Sequence, residues 1–288
     1  MGIGLSSGRE YALFFGQMGP AAPLGMLFAS ALFGLMGAGV IRRCARGVER
    51  APDSLAAGLS MLRVLMAALT VAAMLLRTGA LGAIALPVRH SAAIGMASAL
   101  LFALIIHRAG MLWAAGLCAG GFAMLLYAGL ALDPSPVRLW TDGFTELALA
   151  GSPGWALAFA ALYACMNACA AAWTARPAVC RGVRPAGFGA RLCGIMLLFL
   201  CLEGLAMRRG GDALLAQAAP LALLSARWGV AGFWLCAAFQ YACAVCTLSA
   251  SVGILLDGLR SGGSERARAA VAMLVGAIAL CALLPGTR

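Results

Sequence analysis

Lysine is absent from this sequence of 288 residues, histidine occurs twice, and Asp and Glu together number ten. Charged residues make up 11% of the chain, against roughly 25% in an ordinary soluble domain. So little charge cannot cover a water-facing surface, and nothing in the chain reads as a soluble domain. The scarcity of histidine argues against the usual zinc sites, which draw four ligands from His and Cys at set spacings. No phosphate-binding P-loop and no HExxH stretch occur. No convergent set of acids, bases or metal ligands assembles, so the chain is not expected to be an enzyme. Also missing is the strict apolar–polar alternation of a barrel strand. The opening residues have neither the basic start nor the cleavage site of a signal peptide. No domain boundary, low-complexity tract or obvious repeat divides the 288 residues, which read as a single transmembrane domain.

What the sequence has instead is hydrocarbon. The hydrophobic fraction is 63% and the mean hydropathy is +0.96. Long unbroken apolar runs must satisfy their backbone groups internally when lipid surrounds them, which leaves the helix as the spanning structure. A span takes roughly 20 apolar residues. The expected fold is an all-α polytopic membrane protein of about nine helices. The segments are 3–18, 21–41, 55–78, 88–106, 110–132, 154–174, 189–206, 230–256 and 268–285.

The net charge of +11 is carried entirely by arginine. The arginines gather at the ends of apolar runs, the positive-inside pattern, and no aromatic-basic module accompanies them. Nucleic acid is therefore not an expected partner. With a cytoplasmic N-terminus, inner loops hold Arg42, Arg43, Arg46, Arg50, Arg108, Arg176, Arg181, Arg184, Arg191, Arg260, Arg266 and Arg268. Outer loops hold Arg89, Arg138, Arg208, Arg209 and Arg227, with the terminal Arg288. Twelve against six favours this orientation. The lysine-free, alanine-rich composition fits a GC-rich bacterial genome, and hence a cytoplasmic (inner) membrane.

Eleven cysteines lie mostly inside apolar runs. Cys165 and Cys169 are a helical turn apart, and Cys243-Ala-Val-Cys246 has CxxC spacing. Small, buried packing residues account for them without metal or redox chemistry. His90 and His107 fall at segment ends and read as interfacial.

Some residues do not suit a lipid-facing helix. The first segment opens Gly2-Ile3-Gly4-Leu5-Ser6-Ser7-Gly8-Arg9-Glu10. Glycine lets a helix unwind, and unwound backbone at membrane depth must face protein or a water-filled cavity. Such broken helices form transporter binding sites; an ordinary tail before a helix starting near Tyr11 is the alternative. In the sixth segment Tyr163 and Asn167 are four apart, on one helix face. Asn167 either contacts a solute or joins two helices by hydrogen bonding. In the eighth, Thr247 and Ser251 share a face that suits a hard cation or close helix packing, and Ser249 is rotated away. Glu203, Arg63 and Arg77 are ionisable residues in apolar surroundings that call for a partner or water. The two arginines can also snorkel from the ends of the third segment.

The opening stretch resembles the start of the YkvI-type membrane proteins of the amino acid–polyamine–organocation transporter superfamily. That family begins approximately G-A-G-F-A-S-G-Q-E, then a Phe-Phe pair and a glycine-spaced second helix. Gly2, Gly4, Ser7, Gly8, Glu10, Phe14 and Phe15 fall on the matching positions. Tyr163-Ala-Cys-Met-Asn167 is similar to the family's Tyr-x-x-Tyr-Asn stretch, and Gly79-Ala-Leu-Gly82 to a turn after the third segment. Arg9 stands where the family has glutamine. The resemblance implies a LeuT-like inverted-repeat bundle lacking part of helix 1 and helix 10. It further implies a secondary transporter for a small organic solute such as an amino acid, cation- or proton-coupled. Main chain around Gly2, Gly4, Ser7 and Gly8, with Glu10, Tyr163 and Asn167, would bind substrate. Thr247 and Ser251 would complete a sodium site, and no other cofactor is implied. A signalling or assembly subunit that keeps the fold without transporting is the alternative.

Overall fold

The structure is a computed structural model that describes residues 8, 11, 14–45, 53–88, 90–109, 111–132, 154–165, 167, 184–210 and 220–261. Among them every regular element is helical. In chain order these are α1 (Ala22–Ala45), α2 (Asp53–Ala85), α3 (Ser91–Ala109) and α4 (Met111–Leu132). There follow α5 (Gly154–Cys165), α6 (Pro185–Gly210), α7 (Pro220–Ser225) and α8 (Gly229–Ser261). Short 3₁₀ turns, Gly16–Ala21 and Ala226–Trp228, lead into α1 and α8. Four helices are long and apolar enough to cross a membrane: Ala22–Arg42, Ala67–Ala85, Pro185–Arg208 and Ala226–Leu256. Shorter apolar helices are Ser91–Ile106, Gly116–Ala131 and Gly154–Cys165. This is the make-up of a helical, membrane-embedded protein.

The outward faces make the same point. On α1, Met26, Ala29, Phe33 and Ile41 are buried at helical spacing, while Leu24 and Leu35 are 69% and 71% exposed. A helix that is apolar all round needs an apolar medium outside. On α3, Leu101, Phe102, Leu104 and Ile105 are likewise exposed.

The chain forms two compact units. The first comprises Met1–Glu49 and Phe122–Cys236, and its framework is the crossing of α1 with α6. A Cβ built on Gly34 would lie 2.6 Å from the Gly189 carbonyl oxygen and 2.9 Å from Cys193 Cβ. One on Gly189 would lie 2.6 Å from the Gly34 oxygen and 2.9 Å from Ala38 Cβ. Position 34 meets 193 while 38 meets 189, so the two helices run antiparallel. Glycine here lets the backbones touch, the usual device of helix packing in lipid, where dispersion contacts replace the hydrophobic effect. Phe122 of α4 stacks on Phe199 of α6, with centroids 6.3 Å apart.

The second unit comprises Arg50–Gly121 and Ala237–Arg288, and α2 and α3 form its antiparallel hairpin. Gly79-Ala-Leu-Gly82, read above as a turn, lies inside α2. Gly82 packs on the Ser91 carbonyl and Gly95 on that of Thr78. These glycines serve close helix approach rather than a reversal. The reversal comes later, at 86–90, where His90 takes φ 67°. Arg77 is half-buried and sits two turns before the end of α2, so it does not mark a segment end. Ser98 of α3 and Tyr241 of α8 share a hydrogen bond of 2.6 Å. The expected ninth segment lies outside the described residues.

Candidate functional site

The first segment is not a continuous helix. Gly8 is buried with φ +76°, a left-handed conformation that disfavours any residue with a Cβ. Tyr11 begins a helical turn in which Phe15 N–H donates to the Tyr11 carbonyl at 2.8 Å. The 3₁₀ turn Gly16–Ala21 follows, broken at Gly19 (φ 51°, ψ −126°) before α1 starts. Gly2, Gly4, Ser7 and Glu10 lie outside the described residues, as does the expected pairing of Glu10 with Arg63 or Arg77.

Two surfaces of the first unit receive this segment. One is α5. The Tyr163 ring lies 5.2 Å from both the Phe14 and Phe15 rings, Phe14 meets Phe159 at 6.1 Å, and Tyr11 meets Phe15 at 6.0 Å. Offset and edge-on aromatic pairs add about 0.5–1.5 kcal/mol each beyond buried area. Asn167 is buried, and its Nδ2 donates to the Tyr163 carbonyl at 3.0 Å. The first and sixth segments are thus brought together, with Tyr163 at their junction and Asn167 buried one turn further along.

The other surface is the C-terminal end of α6. A Cβ on Gly8 would lie 2.6 Å from Met207 Sδ and 3.0 Å from Leu221 Cγ. Beside Met207, Arg208 is 3% exposed; Glu203 is 0% exposed, and so is Tyr11. The Arg208 guanidinium stands next to the Tyr11 hydroxyl, and Glu203 and Cys201 are near enough to act on it electrostatically. Arg208 was assigned above to an outer loop. It belongs instead to α6 and is buried, because Pro185–Gly210 continues past the apolar run. The signal in the sequence was Glu203 itself, whose carboxylate in an apolar helix demands a nearby counter-charge.

In the second unit, Thr247 Oγ1 donates to the Cys243 carbonyl at 3.0 Å, the back-bond that Ser and Thr make within a helix. Ser251 is buried on the same face. Ser249, read as pointing elsewhere, is also fully buried, and its hydroxyl meets no hydrogen-bond partner among the described residues. The Gly2–Leu5 carbonyls expected to complete a cation site lie outside the described residues. No group of three His, Cys, Asp or Glu side chains comes together among the described residues.

Gly4-Leu5-Ser6-Ser7-Gly8 also carries the letters of a GxSxG nucleophile elbow. An elbow needs a strand leading into the serine, and residues 1–7 lie outside the described residues. Comparison with family models, with curated proteins and with solved structures finds no match to this chain.

Proposed function

We propose that this protein is a secondary transporter of the bacterial inner membrane, of the LeuT-like, YkvI-type kind, carrying a small organic solute such as an amino acid. One relationship carries the reading: first packs with sixth, and second with seventh. Tyr163 of the sixth segment meets Phe14 and Phe15 of the first. Gly189 of the seventh meets Gly34 of the second through contacts that are the same in both directions. Mutual contacts between antiparallel helices imply a local two-fold axis.

The division of the chain supports the same arrangement. Segments one and two fall in the first unit and three and four in the second, with five divided between them; six and seven return to the first and eight and nine largely to the second. The pattern restarts after five segments. An odd period makes the second copy enter the membrane from the opposite side, which is an inverted repeat. The antiparallel α1–α6 pair agrees with that parity. In such folds solute binds where a broken helix meets its counterpart. Gly8 and Gly19 supply the breaks, and Tyr163 and Asn167 stand at the counterpart.

Substrate would engage the main chain around Gly2, Gly4, Ser7 and Gly8, with Glu10, Tyr163 and Asn167. In a sodium-coupled carrier, Thr247 and Ser251 would supply hydroxyl ligands. The test is uptake of a panel of radiolabelled amino acids and amines into proteoliposomes of the purified full chain. Saturable, counterflow-competent uptake above empty vesicles is expected. Its absence across the panel, with folded protein in the vesicles, favours a non-transporting subunit.

A further inference from the structure

We infer that Glu203 is the proton-carrying group of this protein, so that transport is coupled to protons. The inference rests on the transporter reading and deepens it. A coupling carboxyl must be titratable, shielded from bulk water and placed against the part that rearranges. Glu203 meets all three conditions. It has no exposed surface, and it lies inside the spanning stretch Pro185–Arg208. The element packed on this end of α6 is the broken first segment, through Gly8 on Met207 and Tyr11 beside Arg208. That segment has non-helical backbone on both sides of Tyr11, so it can shift as a short unit without breaking a continuous helix.

The surroundings fit a reversible charge. Arg208, Cys201 and Glu203 of the same helix all stand near enough to act on Tyr11, which is the titratable group among the described residues of the first segment. The other described elements against α6 add little. The described charged residue of α1 with a placed side chain, Arg42, is exposed at the far end of the antiparallel crossing. The α7 sequence Pro-Leu-Ala-Leu-Leu-Ser is uncharged. Tyr127 of α4 is exposed, and Tyr163 of α5 faces Phe14 and Phe15. With Glu203 ionised, Arg208 balances its charge. When the carboxylate takes one proton to become the neutral acid, the charge acting on Tyr11 and on the Arg208 guanidinium already beside it changes, and the first segment is left facing an uncompensated cation. Intramembrane ionisable groups that face protein are the common substrate of proton relays.

Three measurements test this. In sodium-free proteoliposomes an inward proton gradient should drive solute accumulation, and Glu203→Gln should lose it while any remaining exchange becomes independent of pH. Glu203→Asp should recover part of the gradient-driven uptake. Independently of any solute, dicyclohexylcarbodiimide should modify Glu203 in the wild-type protein, mapped by mass spectrometry, with yield falling as pH rises. This arm needs no variant and does not depend on transport. Labelling of Glu203 without any solute uptake would uphold the proton site and defeat the transporter reading. Sodium-driven accumulation that persists in Glu203→Gln, or an unlabelled Glu203 at low pH, overturns the inference and leaves the residue as helix-packing glue.

Discussion

Gly34 and Gly189 face each other across the α1–α6 crossing so closely that a Cβ on either would come within 2.6 Å of the other's carbonyl oxygen. Each is the other's nearest backbone obstacle. Neither helix can accept a side chain there without moving away.

Gly34→Leu and Gly189→Leu should therefore each destabilise the protein by about 1–3 kcal/mol, the cost of overpacking. Gly39 and Gly194, with nothing within 4 Å of a Cβ, serve as controls. Gly→Ala at these positions should be neutral or slightly stabilising, because alanine is the better helix former by about 1 kcal/mol. Reversible unfolding in detergent micelles measures the difference. Equal tolerance at all four positions would contradict the close crossing.

Gly8→Ala should lose stability for two separate reasons. The left-handed conformation costs a residue with a Cβ about 1–2 kcal/mol, and the new methyl would collide with Met207 Sδ. A compensating Met207→Ala change relieves only the second. The double variant should recover part of the loss, as read by thermal unfolding. Full recovery would mean that the backbone at Gly8 is not left-handed.

The Cys118 thiol of α4 and the Cys246 thiol of α8 stand near enough to act on one another, both within the second unit. With the other cysteines replaced, copper–phenanthroline oxidation should form an intramolecular disulfide between them, detected by protection from a maleimide–polyethylene glycol gel shift. Failure of this pair, with both thiols accessible to a small reagent, would displace α4 from α8.

Topology offers a further test. The antiparallel α1–α6 crossing puts the end of α1 and the start of α6 on one side, which the positive-inside pattern of the arginines predicts to be cytoplasmic. Single cysteines at Arg46 and Arg181 should react with an impermeant maleimide only in inside-out vesicles. Labelling of either from intact cells would overturn the assigned orientation.

What the sequence decided by itself was the medium and the element type. Composition adds along the chain, so 63% apolar residues in long runs determine helices in lipid whatever packs on what. Glycines before Tyr11, the face shared by Tyr163 and Asn167, and an out-of-place Glu203 were also legible, because each violates a local rule of a lipid-facing helix. What only the tertiary structure decided was partnership. The run Gly79–Gly82 looks the same in sequence whether it makes a turn or a helix groove, and only the arrival of Gly95 and Ser91 settles it. Arg208 reads as a loop cation until α6 carries it past the apolar run, into a buried position beside Tyr11. Gly34 and Gly189 show no local sign of one another. In lipid the outward and inward sides of a helix are nearly equally apolar, so periodicity, which reveals the buried face in water, cannot name the face that meets a neighbour.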